Sequence, residues 1–106
     1  MNYEDMSDAE ISWTVFTALH GNDVTNDADM MRVARNFDPC NNPSDAWPVI
    51  LETNMSIELA DPNLGGVGTC TIYNPMGTDW YCDFDDNNLA LRSAMICFLK
   101  MKEEGK

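Results

Sequence analysis

The stretch from Met55 to Phe84 reads MSIELADPNLGGVGTCTIYNPMGTDWYCDF. Three runs in it alternate with period two. Met55, Ile57 and Leu59 alternate with Ser56 and Glu58; Cys70 and Ile72 share one side of Thr69–Tyr73; Trp80, Cys82 and Phe84 alternate with Tyr81 and Asp83. Successive strand side chains point to opposite faces, so each run is a half-buried strand. The segments between them, Asp61-Pro62-Asn63-Leu64-Gly65-Gly66 and Asn74-Pro75-Met76-Gly77, are turn sequences. Connections this short join antiparallel neighbours, which predicts a small antiparallel meander of three or four strands. The register follows: Trp80, Cys82 and Phe84 share a face with Cys70 and Ile72, and Thr71 and Asp83 lie on the other.

Working outward, both flanks read as helices. Ser7-Asp8-Ala9-Glu10 is a capping box with Met6 and Ile11 placed as its hydrophobic staple. Ile11, Val15, Ala18 and Leu19 follow helical spacing, Trp13 and Phe16 widen the stripe, and Gly21 is a stop, giving a first helix over about residues 8–20. Residues 22–29 are polar and read as a loop. Met30–Phe37 fits a helix through Met30, Val33, Ala34 and Phe37, or an edge strand through Met31, Val33, Arg35 and Phe37. Pro39 and Pro43 exclude regular structure around Asp38-Pro39-Cys40-Asn41-Asn42-Pro43. A short helix follows over about 45–53. Pro48 lacks an N–H and belongs in a first turn, so the cap is expected at Ser44 or Asp45, with Trp47 beside a packed side of Ala46, Val49, Ile50 and Thr53. After the turn Asp85-Asp86-Asn87-Asn88, a last helix spans about 88–103, with acids before it and lysines near its end. The fold class is α+β: a meander packed with N-terminal, central short and C-terminal helices in one domain, residues 1–106.

The chain of 106 residues carries 18 acidic and 6 basic side chains, net −12. Residues 1–88 hold 16 acids against Arg32 and Arg35; residues 89–106 hold four bases against Glu103 and Glu104. Direct nucleic-acid binding needs a basic patch, which this distribution does not supply. The longest apolar run, Ala94–Leu99, is far short of the roughly 20 residues of a membrane span. The N-terminus is acidic where a signal peptide is basic, so the expected compartment is the cytoplasm. Cys40, Cys70, Cys82 and Cys97 have no metal-ligand spacing and are expected to be buried, reduced thiols.

Met1-Asn2-Tyr3, Met6-Ser7-Asp8 and Glu10-Ile11 resemble the start of the NinX-like proteins of lambdoid phages and prophages. So does Phe37-Asp38-Pro39-Cys40-Asn41-Asn42-Pro43-Ser44-Asp45-Ala46-Trp47-Pro48-Val49-Ile50, and Leu91–Leu99 is similar to that family's closing helix. These segments cover roughly a third of the chain and include both ends. Asn88-Leu89 departs from the Asn-Pro that often precedes the last helix in that family. The resemblance implies a phage or prophage origin, helices around a small sheet as in phage α-β-α sandwich domains, and no activity, because the family is one of unknown function.

Chemistry-bearing motifs are sparse. Asp38–Pro48 supports two readings: a recognition surface with Trp47 as aromatic anchor and Asp38, Asn41, Asn42 and Asp45 as polar contacts, or a rigid corner in which those polar groups satisfy turn amides and Trp47 fills the core. Asp83-Phe84-Asp85-Asp86-Asn87-Asn88 fails as a calcium loop, having Asn88 at the glycine position and Ala94 at the glutamate position. His20, the lone histidine, is expected to interact with the carbonyls ending the first helix. The glycine-rich Gly65–Gly68 leads into a strand, not a phosphate-binding helix N-terminus. No cofactor, metal or catalytic set is expected.

The leading function is a non-catalytic phage accessory protein that binds another protein. The alternative is an acidic DNA mimic that occupies a nucleic-acid-binding protein, and an enzyme stands third. Mimicry requires clustering: net −12 over about 6,000 Å² is one charge per roughly 500 Å², whereas duplex DNA carries about one per 100 Å². A homodimer through the C-terminal helix is also expected. Residues 94–99 are apolar around the full circumference of that helix, and a small sheet covers only a stripe of it.

Overall fold

A computed structural model describes residues 3–21, 28–61, 63 and 66–104. The helices are α1 (Asp8–His20), α2 (Ala28–Asn36), α3 (Pro43–Thr53) and α4 (Ala90–Glu104); the strands are β1 (Ser56–Glu58), β2 (Gly68–Ile72) and β3 (Trp80–Phe84). Single 3₁₀ turns at Tyr3–Asp5 and Asn87–Leu89 precede α1 and α4.

The sheet is an antiparallel meander in the order β1-β2-β3. Cys70 faces Cys82 and Ile72 faces Trp80, with Ile57 opposite Cys70 on the far side. Cys70, Ile72, Cys82 and Phe84 are buried on the inner face, and on the outer face the Thr69 hydroxyl donates to the Asp83 carboxylate at 2.8 Å. The predicted register therefore holds. β1 stops at Glu58, and Leu59 is exposed.

α4 packs on the inner face against β2 and β3, and α1 and α3 pack on the opposite side of α4. Among the described residues the helices thus lie on one face of the sheet, where a sandwich would cover both. The outer residues Ser56, Glu58, Tyr81 and Asp83 are exposed. In α4 every residue from Ser93 to Leu99 is buried, with Ile96 at 3%, Phe98 at 1% and Leu99 at 3% exposure in a single chain. A helix apolar all round is a core helix. The apolar circumference of α4, from which a homodimer was expected, is covered in a single chain by α1, α3 and the sheet.

The α1 capping box forms as expected, with the Glu10 N–H donating to Ser7 Oγ at 3.1 Å and the Ser7 N–H to Glu10 Oε1 at 3.2 Å. Gly21 ends the helix at φ +82°, a conformation L side chains rarely adopt, and its N–H donates to the Thr17 carbonyl. Ile11, Val15 and Phe16 are buried, whereas Ala18 is exposed. The His20 ring lies 4.4 Å from the Phe16 ring, an aromatic contact in place of the expected carbonyl one. Residues 22–27 of the expected loop lie outside the described residues; Ala28 and Asp29 already belong to α2. That helix resolves the ambiguity at Met30–Phe37 and buries Ala34, with Met30, Met31 and Phe37 partly covered and Val33 exposed.

Candidate functional site

The corner that leads into α3 is built from residues singled out in the sequence. The helix starts two residues earlier than expected. Asn42 is the cap, its side-chain oxygen accepting the Ser44 N–H at 3.0 Å, and Pro43 takes the first helical position, where its fixed φ is already helical. Pro48 consequently sits inside the helix, which ordinarily costs about 3 kcal/mol or more. Ser44, whose carbonyl loses the i→i+4 donor, is exposed, so water can take that place. Asn54 closes α3 in the left-handed conformation at φ 53°.

The polar side chains of the corner are largely engaged in holding it. The Asp38 N–H donates to Asp45 Oδ2 at 3.0 Å, and the Asp38 carbonyl accepts the N–H groups of Asn41 and Asn42. Asn41 Nδ2 reaches both the Asp38 carboxylate and Asp8 Oδ2, each at 3.2 Å. Pro39 and Cys40 are buried beneath the corner, where the Cys40 thiol contacts the Ser12 hydroxyl and the Asp8 carbonyl. Asp8 also accepts from Arg92 Nη1 at 2.6 Å, which ties the corner to α4. Arg92 Nη2 donates to the Met6 carbonyl at 2.5 Å, with longer contacts to the Tyr3 and Glu4 carbonyls. This anchor was not singled out in the sequence. Its signal was a lone arginine in an otherwise apolar helix face.

Trp47 departs from the rigid-corner reading. It is 58% exposed, and Leu51, one helical turn on, is 60% exposed. Burial of side chains this large is worth about 1.5–3 kcal/mol each, which this placement forgoes. The reason is helical phase: Ala46, Val49 and Ile50 face α4, and Trp47, Pro48 and Leu51 fall on the other side. A groove of about 440 Å³ runs along Pro43, Ser44, Trp47 and Pro48. A larger cleft, about 640 Å³, opens on the other side of the corner between α1 and α2, with Trp13, Met31 and Phe37 among its walls and Asp8, Asp38 and Arg35 at its edges.

The cysteines, scattered in sequence, partly converge in space. Cys70 and Cys82 are cross-strand partners, and the Cys97 thiol donates to the carbonyls of Cys70 and Trp80. All four are free and buried. Burial pushes Cys40 up to about 11 and Cys70 and Cys97 to about 12, and it raises Cys82 as well. At neutral pH these are thiols, not nucleophilic thiolates. Burial, with a 2.7 Å hydrogen bond to Glu103, also raises Tyr3 to about 12. Among the described residues no group of three or more His, Cys, Asp or Glu side chains is arranged to hold a metal ion, and no helix is long and apolar enough to cross a membrane.

No curated protein and no solved structure matches the chain. The family model described as Bacteriophage P22, NinX matches residues 2–102, nearly the whole length. The match takes in the capping box, the proline corner, the sheet and most of α4, and on this ground the chain belongs to the NinX family of bacteriophage P22.

Proposed function

We propose that this phage protein is a non-catalytic accessory factor that acts by binding another protein through the outward side of α3. The observation that carries the reading is Trp47, held more than half exposed on a corner whose polar groups are engaged in fixing its position. An indole displayed on a rigid support loses little freedom on docking, and tryptophan is enriched among the residues that dominate protein interfaces. The non-catalytic part is supported by protonated thiols and by the ties of Asp8 and Asp38, the carboxylates at the cleft between α1 and α2, to Arg92 and Asn41. A pull-down from infected or lysogenic cells, run with wild type, Trp47→Ala and a charge-matched control, tests the proposal. A partner enriched by wild type and lost with Trp47→Ala is expected; no enrichment over the control overturns it.

The DNA-mimic reading rests on a different observation. The side-chain amide of Asn87 clamps the backbone of Ala60 through two hydrogen bonds, which joins the end of β1 to the turn after β3. Glu58, Asp61, Asp83, Asp85 and Asp86 are thereby brought to one end of the sheet, which supports this reading without reaching, by itself, the density of duplex DNA. Competition against duplex DNA for the captured partner separates the two readings. Displacement that survives Trp47→Ala but is lost on neutralising these carboxylates would favour mimicry.

A further inference from the structure

We infer that the stripe of α3 anchored by Trp47 and Leu51 docks a basic amphipathic segment of its partner, an apolar anchor flanked by lysine or arginine. This rests on the binding role proposed above and adds the partner's chemistry. Trp47 and Leu51 stand four residues apart, so they are neighbours on one helix face, with Pro48 beside them. A helix or strand with one apolar face fits such a ridge.

The sign of the partner follows from the charge around it. Between Arg35 and Arg92 the chain has no lysine, arginine or histidine, and it carries nine carboxylates: Asp38, Asp45, Glu52, Glu58, Asp61, Asp79, Asp83, Asp85 and Asp86. Of these, Asp38, Asp45 and Glu52 belong to the corner and α3, where the span places no cation; the other six lie on or beside the sheet, across α4. On α3 itself Asp45 and Glu52 both fall on the edge of the stripe beyond Pro48; Glu52 is exposed, and Asp45 is half-buried and accepts from the Asp38 N–H. A second copy of the chain docked on this face would set these carboxylates against their own kind, and a nucleic acid would be repelled outright. A basic segment is matched twice, since its cations pair with the carboxylates and can also lie over the exposed indole face.

The test uses the full chain and defined probes: an amphipathic peptide of leucine and lysine, the same peptide with glutamate for lysine, and a leucine–lysine peptide scrambled so that no apolar face forms. Amide chemical shifts locate binding, and anisotropy of labelled peptide measures it. The leucine–lysine peptide should bind with shifts concentrated over residues 43–52. Its affinity should fall at least about tenfold in Trp47→Ala, several-fold in Glu52→Lys, and at least about tenfold between low salt and 0.5 M salt. The glutamate and scrambled peptides should bind far more weakly. Absence of binding by the leucine–lysine peptide, binding untouched by Trp47→Ala, or equal binding of the glutamate peptide overturns the inference. A cellular partner lost with Trp47→Ala yet retained at high salt would leave the binding role intact and remove only the basic character assigned here.

Discussion

Gly68→Ala isolates one contact on which the sheet depends. Gly68 opens β2 directly opposite Phe84, and a Cβ built on it would stand 2.2 and 2.3 Å from Phe84 Cε2 and Cζ and 2.8 Å from the Glu58 carbonyl oxygen. Carbon atoms pack at about 3.5–4.0 Å, so the ring would have to retreat by more than about 1 Å. It has little room to do so, because Phe84 is 4% exposed in the packed core, and the Glu58 oxygen is backbone and cannot turn aside. Overpacking of this kind costs typically about 1–3 kcal/mol. Gly68 does not occupy the left-handed region, so alanine also gains about 0.4–1 kcal/mol by restricting the unfolded chain. The net expectation is a loss of about 1–2 kcal/mol, or roughly 5–10 °C in Tm for a domain of this size. Urea unfolding followed by circular dichroism measures it, with Phe84→Leu and the double variant closing a cycle. Leucine lacks the two ring atoms that clash, so the double variant should be at least about 0.5 kcal/mol more stable than additivity predicts. If Gly68→Ala alone is neutral, or the cycle is additive, the ring does not lie over Gly68 as described.

Three other outcomes follow from the packing. Arg92→Ala should cost about 1–3 kcal/mol in urea unfolding, because it removes the donor to the Met6 carbonyl and leaves the half-exposed Asp8 carboxylate to Asn41 and water; a loss below about 0.5 kcal/mol would reduce the anchor to a surface ion pair. Stability should fall as pH rises from about 9 toward 12: the folded-state pKa values of the thiols and Tyr3 are raised, so their protonated forms support the fold below the unfolded values and the contribution is lost as ionisation of the unfolded chain begins. A pH titration of the urea midpoint that stays flat above pH 9 would refute the burial of these groups. Sedimentation equilibrium should give a constant mass near 11.9 kDa across micromolar concentrations, and a doubled mass abolished by charges introduced on α4 would mean that this helix is not satisfied within one copy.

Much of the fold was legible in the chain because it rests on local rules. Period-two alternation set the sheet face of Cys70, Ile72, Cys82 and Phe84, turn residues set the antiparallel order, and Ser7 with Glu10 set the start of α1. The polar corner residues Asp38, Asn41, Asn42 and Asp45 were also recognisable as a unit, since Asn and Asp beside proline satisfy turn amides through their own side chains. What the local rules misplaced was the start of α3. They barred Pro48 from a helix interior, while the cap at Asn42, the proline at the first position and burial of Ala46, Val49 and Ile50 together outweigh that cost.

Two further matters belonged to the tertiary structure alone. The apolar circumference of α4 is the same sequence whether a second copy or its own chain covers it; only the stacking of α1 and α3 on α4 shows that its own chain does so. The phase of α3 likewise turns Trp47 and Leu51 outward although both are apolar, because three smaller residues fill the space against α4 and leave no room for an indole. Sequence determined most of the elements, α1, the three strands and α4 above all, since propensity, capping and periodicity act over a few neighbours. Which side of each element meets another depends on volumes and distances between residues far apart in the chain, such as Asp8 with Arg92 and Gly68 with Phe84, and those are settled only when the elements pack.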